Sequence, residues 1–245
     1  MRVAALYDVH GNLPALEAVL AEADAADLIV VGGDVIGGPF PAETLELLRG
    51  LGERVRWIRG NAERELVELP PTREAGPPPG ELERLRAALT DEQIDFLYTL
   101  PERFAVDVDG LGQVLFCHAT PRNDLDLVTP LTPDERLAAI LAGVRAKAVV
   151  AGHTHVQDDR RAAGVRWVNA GSVGMPYQGD AAAFWLLVDG VQPERRRTDL
   201  DVEAMAEAIR ATGYPEADDL IRECFIEPVE AEFVARFFED RATGK

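Results

Sequence analysis

The chain has 245 residues, 47% of them apolar, and a formal net charge of −18. This length and composition allow a full buried core and exclude general disorder. So acidic a surface repels nucleic-acid backbones, and two cysteines cannot build a disulfide framework.

In chain order, Val3 to Tyr7 reads as a strand. A helix follows, with Asn12 as N-cap, Pro14 in its first turn, and Leu13, Leu16, Val19 and Leu20 at helical spacing. Leu28 to Val31 is a continuous apolar run, as in a strand covered on both faces. Thr44 to Leu51 reads as helix and Val55 to Ile58 as strand, so the first 60 residues are βαβαβ with parallel strands. Pro70, Pro71 and the run Gly76 to Gly80 form a breaker-rich loop. Helices are expected from Glu81 and from Thr90, the second opened by a Thr90–Gln93 capping box. Phe104 to Val108 and Gln113 to Phe116 flank Asp109-Gly110 as a hairpin. Thr132 and Glu135 read as another capping box, with Pro133 at the first helical position. Ala148 to Val150, Val165 to Val168, Ala183 to Val188 and Val191 to Arg196 complete a second set of strands. After Asp199 the pattern is helical, interrupted at Gly213-Tyr214-Pro215 and near Pro228.

No cationic, apolar leader precedes the first strand and no apolar run is long enough for a bilayer. A cytoplasmic location without membrane contact is therefore expected. Arg195-Arg196-Arg197 reads as decoration of an exposed strand, with no nucleic-acid duplex as partner. Cys117 reads as a small core residue, and Cys224 as packed in an amphipathic stretch.

The chemistry is concentrated at strand ends. All four histidines sit there: His10 in Asp8-Val9-His10, His118 after Val114 to Cys117, and His153 and His155 in Gly152-His153-Thr154-His155. Asp34 in Gly33-Asp34 and Asn61 in Gly60-Asn61 occupy the same setting. Loops at strand ends are where ligands collect in α/β proteins. Two carboxylates, four imidazoles and one amide suit Mn²⁺, Fe, Zn²⁺ or Ni²⁺. Seven donors exceed one tetrahedral ion and suit two metals sharing a bridge. Taken singly, Asp34 and Asn61 also fit as turn formers beside glycine, and each histidine as a satisfied core residue. Arg122 either reaches a substrate phosphate or forms a surface salt bridge. Arg59 reads as a structural ion pair, Tyr7 as packing beside the site, and Glu63 as a helix-start acid.

In this order, Asp8-x-His10, Gly33-Asp34, Gly60-Asn61, His118 and Gly152-His153-x-His155 resemble the motifs of the calcineurin-like metallophosphoesterases. Asn169-Ala170-Gly171-Ser172-Val173-Gly174 looks like a segment of that family's small bacterial members, and the resemblance covers roughly the first 190 residues. It implies an α/β fold of two mixed β-sheets packed as a sandwich with helices on both outer faces, four layers in all. Residues 1–198 would form this domain, with an insertion near 64–100 and a helical C-terminal extension at 199–245. By resemblance, Asp8, His10 and His155 would hold one divalent metal and Asn61, His118 and His153 the other, with Asp34 between them. The Gly171 to Gly174 turn would support the site. Mn²⁺ is the expected metal, with Fe, Zn²⁺, Ni²⁺ and Mg²⁺ as alternatives. Asp34, Asn61, His118 and Arg122 would act catalytically, a metal-bound hydroxide attacking phosphorus in line.

The chain departs from the family pattern at one position. Many members place a histidine after Gly-Asn, where this chain has Ala62. Alanine cannot donate a proton, which favours a phosphodiester or nucleotide-type substrate over a phosphoprotein. Phosphomonoesterase and dinucleoside-polyphosphate hydrolase are the alternatives on the same site, and a non-catalytic scaffold is the rival from another class. The 70–80 loop and the C-terminal helices are expected to shape either the pocket or a homo-oligomer interface.

Overall fold

A computed structural model describes residues 1–68, 80–190 and 192–244. The breaker-rich loop, apart from Gly80, lies outside the described residues, as does Val191. The first sheet contains β1 (Val3–Leu6), β2 (Leu28–Val31), β3 (Val55–Trp57), β9 (Ala182–Asp189) and β10 (Gln192–Asp199), in the order β10-β9-β1-β2-β3. The second contains β4 (Arg103–Val108), β5 (Gly112–Cys117), β6 (Ala148–Ala151), β7 (Asp158–Ala162) and β8 (Val165–Asn169), in the order β4-β5-β6-β8-β7. Each sheet mixes parallel and antiparallel pairs; β1 runs parallel to β2 and antiparallel to β9.

Strand alternation builds the layers. Val3, Ala5 and Tyr7 point into the core between the sheets, where they meet Val114, Phe116, Ala148 and Val150. Ala4 and Leu6 point outward and are covered by Leu16 and Val19 of α1 (Leu13–Glu22). The same outer core takes in Met205, Ile209, Leu220 and Phe225 from the C-terminal helices. Val149, Ala151 and Trp167 face out of the second sheet against Leu137 and Ile140. Two mixed sheets with helices around them are the architecture expected from the sequence, and both faces of β1 and β2 are buried as continuous apolar runs predict.

The remaining helices are α2 (Pro41–Gly50), α3 (Asn61–Glu68), α4 (Glu81–Ala88), α5 (Asp91–Tyr98), α6 (Asp134–Ile140), α7 (Val202–Ala211), α8 (Ala217–Ile221) and α9 (Ala231–Thr243), with one π turn at Arg222–Ile226. Asn12 caps α1 by accepting from the Ala15 N–H, and the Thr90–Gln93 box caps α5 with both bonds present. The expected Thr132–Glu135 box does not form. Pro133 is the N-cap of α6, while the Thr132 hydroxyl accepts from the Thr129 N–H and the Arg136 guanidinium and is bonded to Glu239 of α9. A tertiary anchor has taken the side chain that the local pattern assigned to a cap. Among the described residues no helix is long and apolar enough to cross a membrane. In β10, Arg195 and Arg197 are exposed, and Arg197 pairs with Asp180 and Asp199.

Candidate metal centre

The parallel pairing of β1 and β2 does not stop where the strands do. Beyond them the Asp8 N–H donates to the Gly33 carbonyl at 3.1 Å, His10 to Asp34 at 2.9 Å and Gly11 to Val35 at 2.8 Å. Two ligand-bearing loops are thereby laced together. Six described non-glycine residues have positive φ, and five are Asp8 (54°), His10 (44°), Asp34 (53°), His153 (68°) and His155 (58°). The left-handed region costs an L-residue energy and clusters at functional sites. Here it turns successive side chains inward from tight loops.

Two groups result: Asp8, His10 and His155, and Asp34, His118 and His153, with the candidate donor atoms of each group within 4.8 Å of one another. Asn61, first residue of α3, joins the second group, its Oδ1 3.1 Å from His118 Nε2. Asp34 faces both: Oδ1 lies 3.5 Å from His118 Nε2 and Oδ2 3.9 Å from His10 Nε2. Glycine is required beside these residues because side chains of the site fill its place. A Cβ on Gly60 would strike the Asp34 carboxylate, and one on Gly152 would strike that of Asp8.

Outer partners fix the imidazoles. His118 Nδ1 lies 2.9 Å from the Gly32 carbonyl and His155 Nδ1 2.6 Å from that of Met175. A carbonyl only accepts, so each Nδ1 carries the proton and Nε2 is the atom turned inward. Asn169 donates to the Gly152 carbonyl and the Thr154 hydroxyl, and Ser172 donates to the Asp8 carbonyl at 2.7 Å. The Asn169 to Gly174 segment therefore holds the loops of Asp8 and of His153 together. Tyr7 is fully buried and donates to the Val150 carbonyl.

The donor set fits divalent cations. Among the described residues Asp8 Oδ1 is buried with no hydrogen-bond partner, although His155, His118 and His10 present Nε2 to it at 3.4, 3.9 and 4.0 Å. A buried orphan carboxylate oxygen ringed by imidazole nitrogens is a costly arrangement that a cation relieves. Burial and the charge of His155 push His10 down to about 3, and burial and His118 push His153 down to about 3. Both are therefore neutral, as metal ligation requires. Burial would raise the Asp8 carboxyl, but the neighbouring imidazoles, His155 foremost, outweigh it and hold Asp8 below the usual carboxylate range. Asp34 is pushed up to about 7 by burial, against the opposing pull of His118. His118 is raised, because Asp34 and Asp8 overcome its burial.

These shifts fix the acid response of the metal-free chain. His10 and His153, normally near 6.5, take protons below that pH only when unfolded, so their contribution to stability is lost as pH falls from 6.5 toward 3. Asp34 acts oppositely: between its ordinary 3.8 and about 7 it holds a proton only when folded, so its contribution is present at low pH and lost as pH rises through 7. His118 is protonated in both states below 6.5 and adds no slope there. Two losses against one gain leave a net loss of stability as pH falls through this window. The Tm of chelated protein is expected to fall between about pH 6 and about pH 4.5, more steeply than in His153→Asn. Equal slopes in the two proteins would contradict this assignment.

One residue escaped the sequence reading. Glu63 is completely buried, and its carboxylate accepts from the backbone N–H groups of Asp34 (2.9 Å), Val35 (2.8 Å), Ile36 (3.3 Å) and Gly60 (2.8 Å). It shapes the loop that presents Asp34. Its only sequence signal was an acid two residues after Asn61, which pointed merely to a helix start. Arg122 is the candidate not gathered with the others. Its guanidinium donates to Asp126 at 2.9 and 2.7 Å, and it lines a cavity of about 100 Å³ beside His118, apart from the cleft that His10, Asp34, Asn61 and His153 line. Arg59 is ion-paired with Glu68 and Glu102.

Comparisons with known proteins agree with this geometry. Residues 1–189 match the family model of the calcineurin-like phosphoesterase superfamily domain. A metallophosphoesterase structure from Sphaerobacter thermophilus is 26% identical, with TM-score 0.76 over 90% of this chain and 96% of that one. A hypothetical protein from Pyrococcus horikoshii shares the fold at TM-score 0.79 and 22% identity, over 91% and 97% of the two chains. Over 140 residues, 55% of this chain, there is 30% identity to the symmetrical bis(5'-nucleosyl)-tetraphosphatase of Pectobacterium atrosepticum. That match spans 49% of the tetraphosphatase, about half its length. The chain belongs to the calcineurin-like phosphoesterase superfamily.

Proposed function

We propose that this protein is a dinuclear-metal-dependent phosphoesterase acting on a phosphodiester or nucleotide-type substrate. The observation that carries the reading is Asp34, whose two carboxylate oxygens face separate ligand groups at the floor of one cleft. Asp8, His10 and His155 would hold one ion, Asn61, His118 and His153 the other, and Asp34 both. Divalent ions so held supply Lewis acidity, activating water and neutralising charge on phosphoryl oxygens. The chain's own residues do the rest. Gly32 and Met175 carbonyls keep His118 and His155 in the ligating tautomer, and the Asn169 and Ser172 side chains lock the loops. Ala62 lines the cleft beside Asn61 and offers no proton to a leaving group.

The tetraphosphatase relative gives specific support to dinucleoside-polyphosphate hydrolysis as a second reading. A general acid is worth about 10²–10⁴ in rate when the leaving group needs a proton, and little when it departs as a stable anion. Nitrophenyl phosphodiesters are therefore expected to turn over readily, and phosphoserine peptides far more slowly. Chelation is expected to abolish turnover, and Mn²⁺ to restore it at least as well as Mg²⁺. Full activity after exhaustive chelation would overturn the metal dependence. A flat rate across a leaving-group pKa series would overturn the argument from Ala62.

A further inference from the structure

The cleft above the two ligand groups has a volume of about 480 Å³. Cavities of about 300–1,000 Å³ enclose whole small molecules. Its floor includes His10, Asp34, Asn61 and His153. Six side chains make one part of its wall apolar: Leu82 and Leu85 of α4, Leu125 and Leu127 ahead of α6, Tyr214 between α7 and α8, and Phe238 of α9. Binding a phosphoryl group alone gives these side chains nothing to cover. We propose that they form a subsite for a flat organic group of nucleobase type, and that Arg241 receives a second, non-reacting phosphate. The substrate class is then a nucleoside polyphosphate ester. This inference rests on the phosphoesterase reading above.

The walls are preset. The Arg84 guanidinium lies 4.8 Å over the Tyr214 ring and is itself fixed by Glu81 and the Gly38 carbonyl. On α9, Glu239 is bonded to the Thr129 and Thr132 hydroxyls and pairs with Arg136 at 2.5 Å. That anchor sits between Phe238 and Arg241, two residues three apart and therefore on one helix face, and both line the cleft. An aromatic ring held this way loses little freedom on stacking.

Charge points the same way. The chain carries −18, and Glu65 and Glu81 also line the cleft. Among the described lining residues Arg241 is the sole lysine or arginine, and it has no ion-pair partner among the described residues. Planar guanidinium matches phosphate in charge and shape. Tyr214, Phe238 and Arg241 all follow the segment matched to the family domain, which ends at residue 189. The reader of the organic group is thus built onto the shared frame by the C-terminal helices.

The test is calorimetric titration of the full, Mn²⁺-loaded chain with inorganic phosphate, AMP and ADP, alongside nitrophenyl diester turnover. AMP is expected to bind at least about tenfold tighter than phosphate, and Phe238→Ala to remove about tenfold of that affinity while leaving phosphate within about twofold. Arg241→Ala, at an exposed position, is expected to weaken ADP about tenfold and AMP much less. Equal affinity of the wild type for AMP and phosphate would overturn the subsite while leaving the phosphoesterase reading intact. Tight AMP binding without turnover of any ester would overturn the phosphoesterase reading and leave the subsite. If Phe238→Ala does not fold, Tyr214→Ala and the AMP-to-phosphate ratio of the wild type still decide the matter.

Discussion

Asp34→Asn is expected to lower phosphoester turnover by more than the 10–100-fold, roughly, that loss of an outer hydrogen-bond partner costs a metal site. Asp34 turns a different oxygen to each ligand group, Oδ1 to His118 at 3.5 Å and Oδ2 to His10 at 3.9 Å. An asparagine keeps the size of the side chain and one oxygen to accept from the Ala62 N–H, now 2.8 Å from Oδ1. The fold should survive. What changes is that one of the two inward atoms becomes an N–H₂ that repels a cation. Elemental analysis should find substantially less than the wild-type metal content, and kcat/KM should fall with it. A variant with full metal content and near-normal kinetics would remove Asp34 from the bridging role.

The second large effect concerns stability. Glu63→Ala would leave four backbone donors in a dry interior without their acceptor. Each unsatisfied buried donor costs about 1–3 kcal/mol, partly recovered if water enters the space. A loss of about 3 kcal/mol or more in denaturant unfolding is expected, together with weakened metal binding, because the Asp34 loop loses its template. Glu63→Gln should fall between, since one of its terminal atoms becomes a donor facing N–H groups. A loss below about 1 kcal/mol in Glu63→Ala would show that the loop holds its shape unaided.

The contrast between Asp34 and Glu63 explains what a reader of the sequence can see. Asp34, the histidines and Asn61 announce themselves because each follows an apolar run, with glycine directly beside His10, Asp34, Asn61 and His153, a local signature of a turn at a strand end. Glu63 serves residues 27 to 29 positions earlier, and no pattern along the chain records that. β7 was missed for a related reason. Asp158-Asp159-Arg160-Arg161-Ala162 has no apolar alternation and is a strand only because β8 pairs with it at the sheet edge. Thr132 shows the converse error, in which a good local pattern loses to Arg136 and Glu239. The parallel core strands were legible because burial on both faces leaves a composition that nothing else produces.

The left-handed residues depend on the rest of the fold. Each costs on the order of 1 kcal/mol or more, and net protein stability is only about 5–15 kcal/mol. Five such residues cannot be held by their own loops. They exist because two finished sheets and the segment from Asn169 to Gly174 leave the backbone no other path. In small metal-dependent domains the ion drives the chain to fold. Here the two sheets and the Asn169 to Gly174 segment hold the ligand loops, and a short peptide carrying the same motifs is not expected to reproduce the ligand geometry.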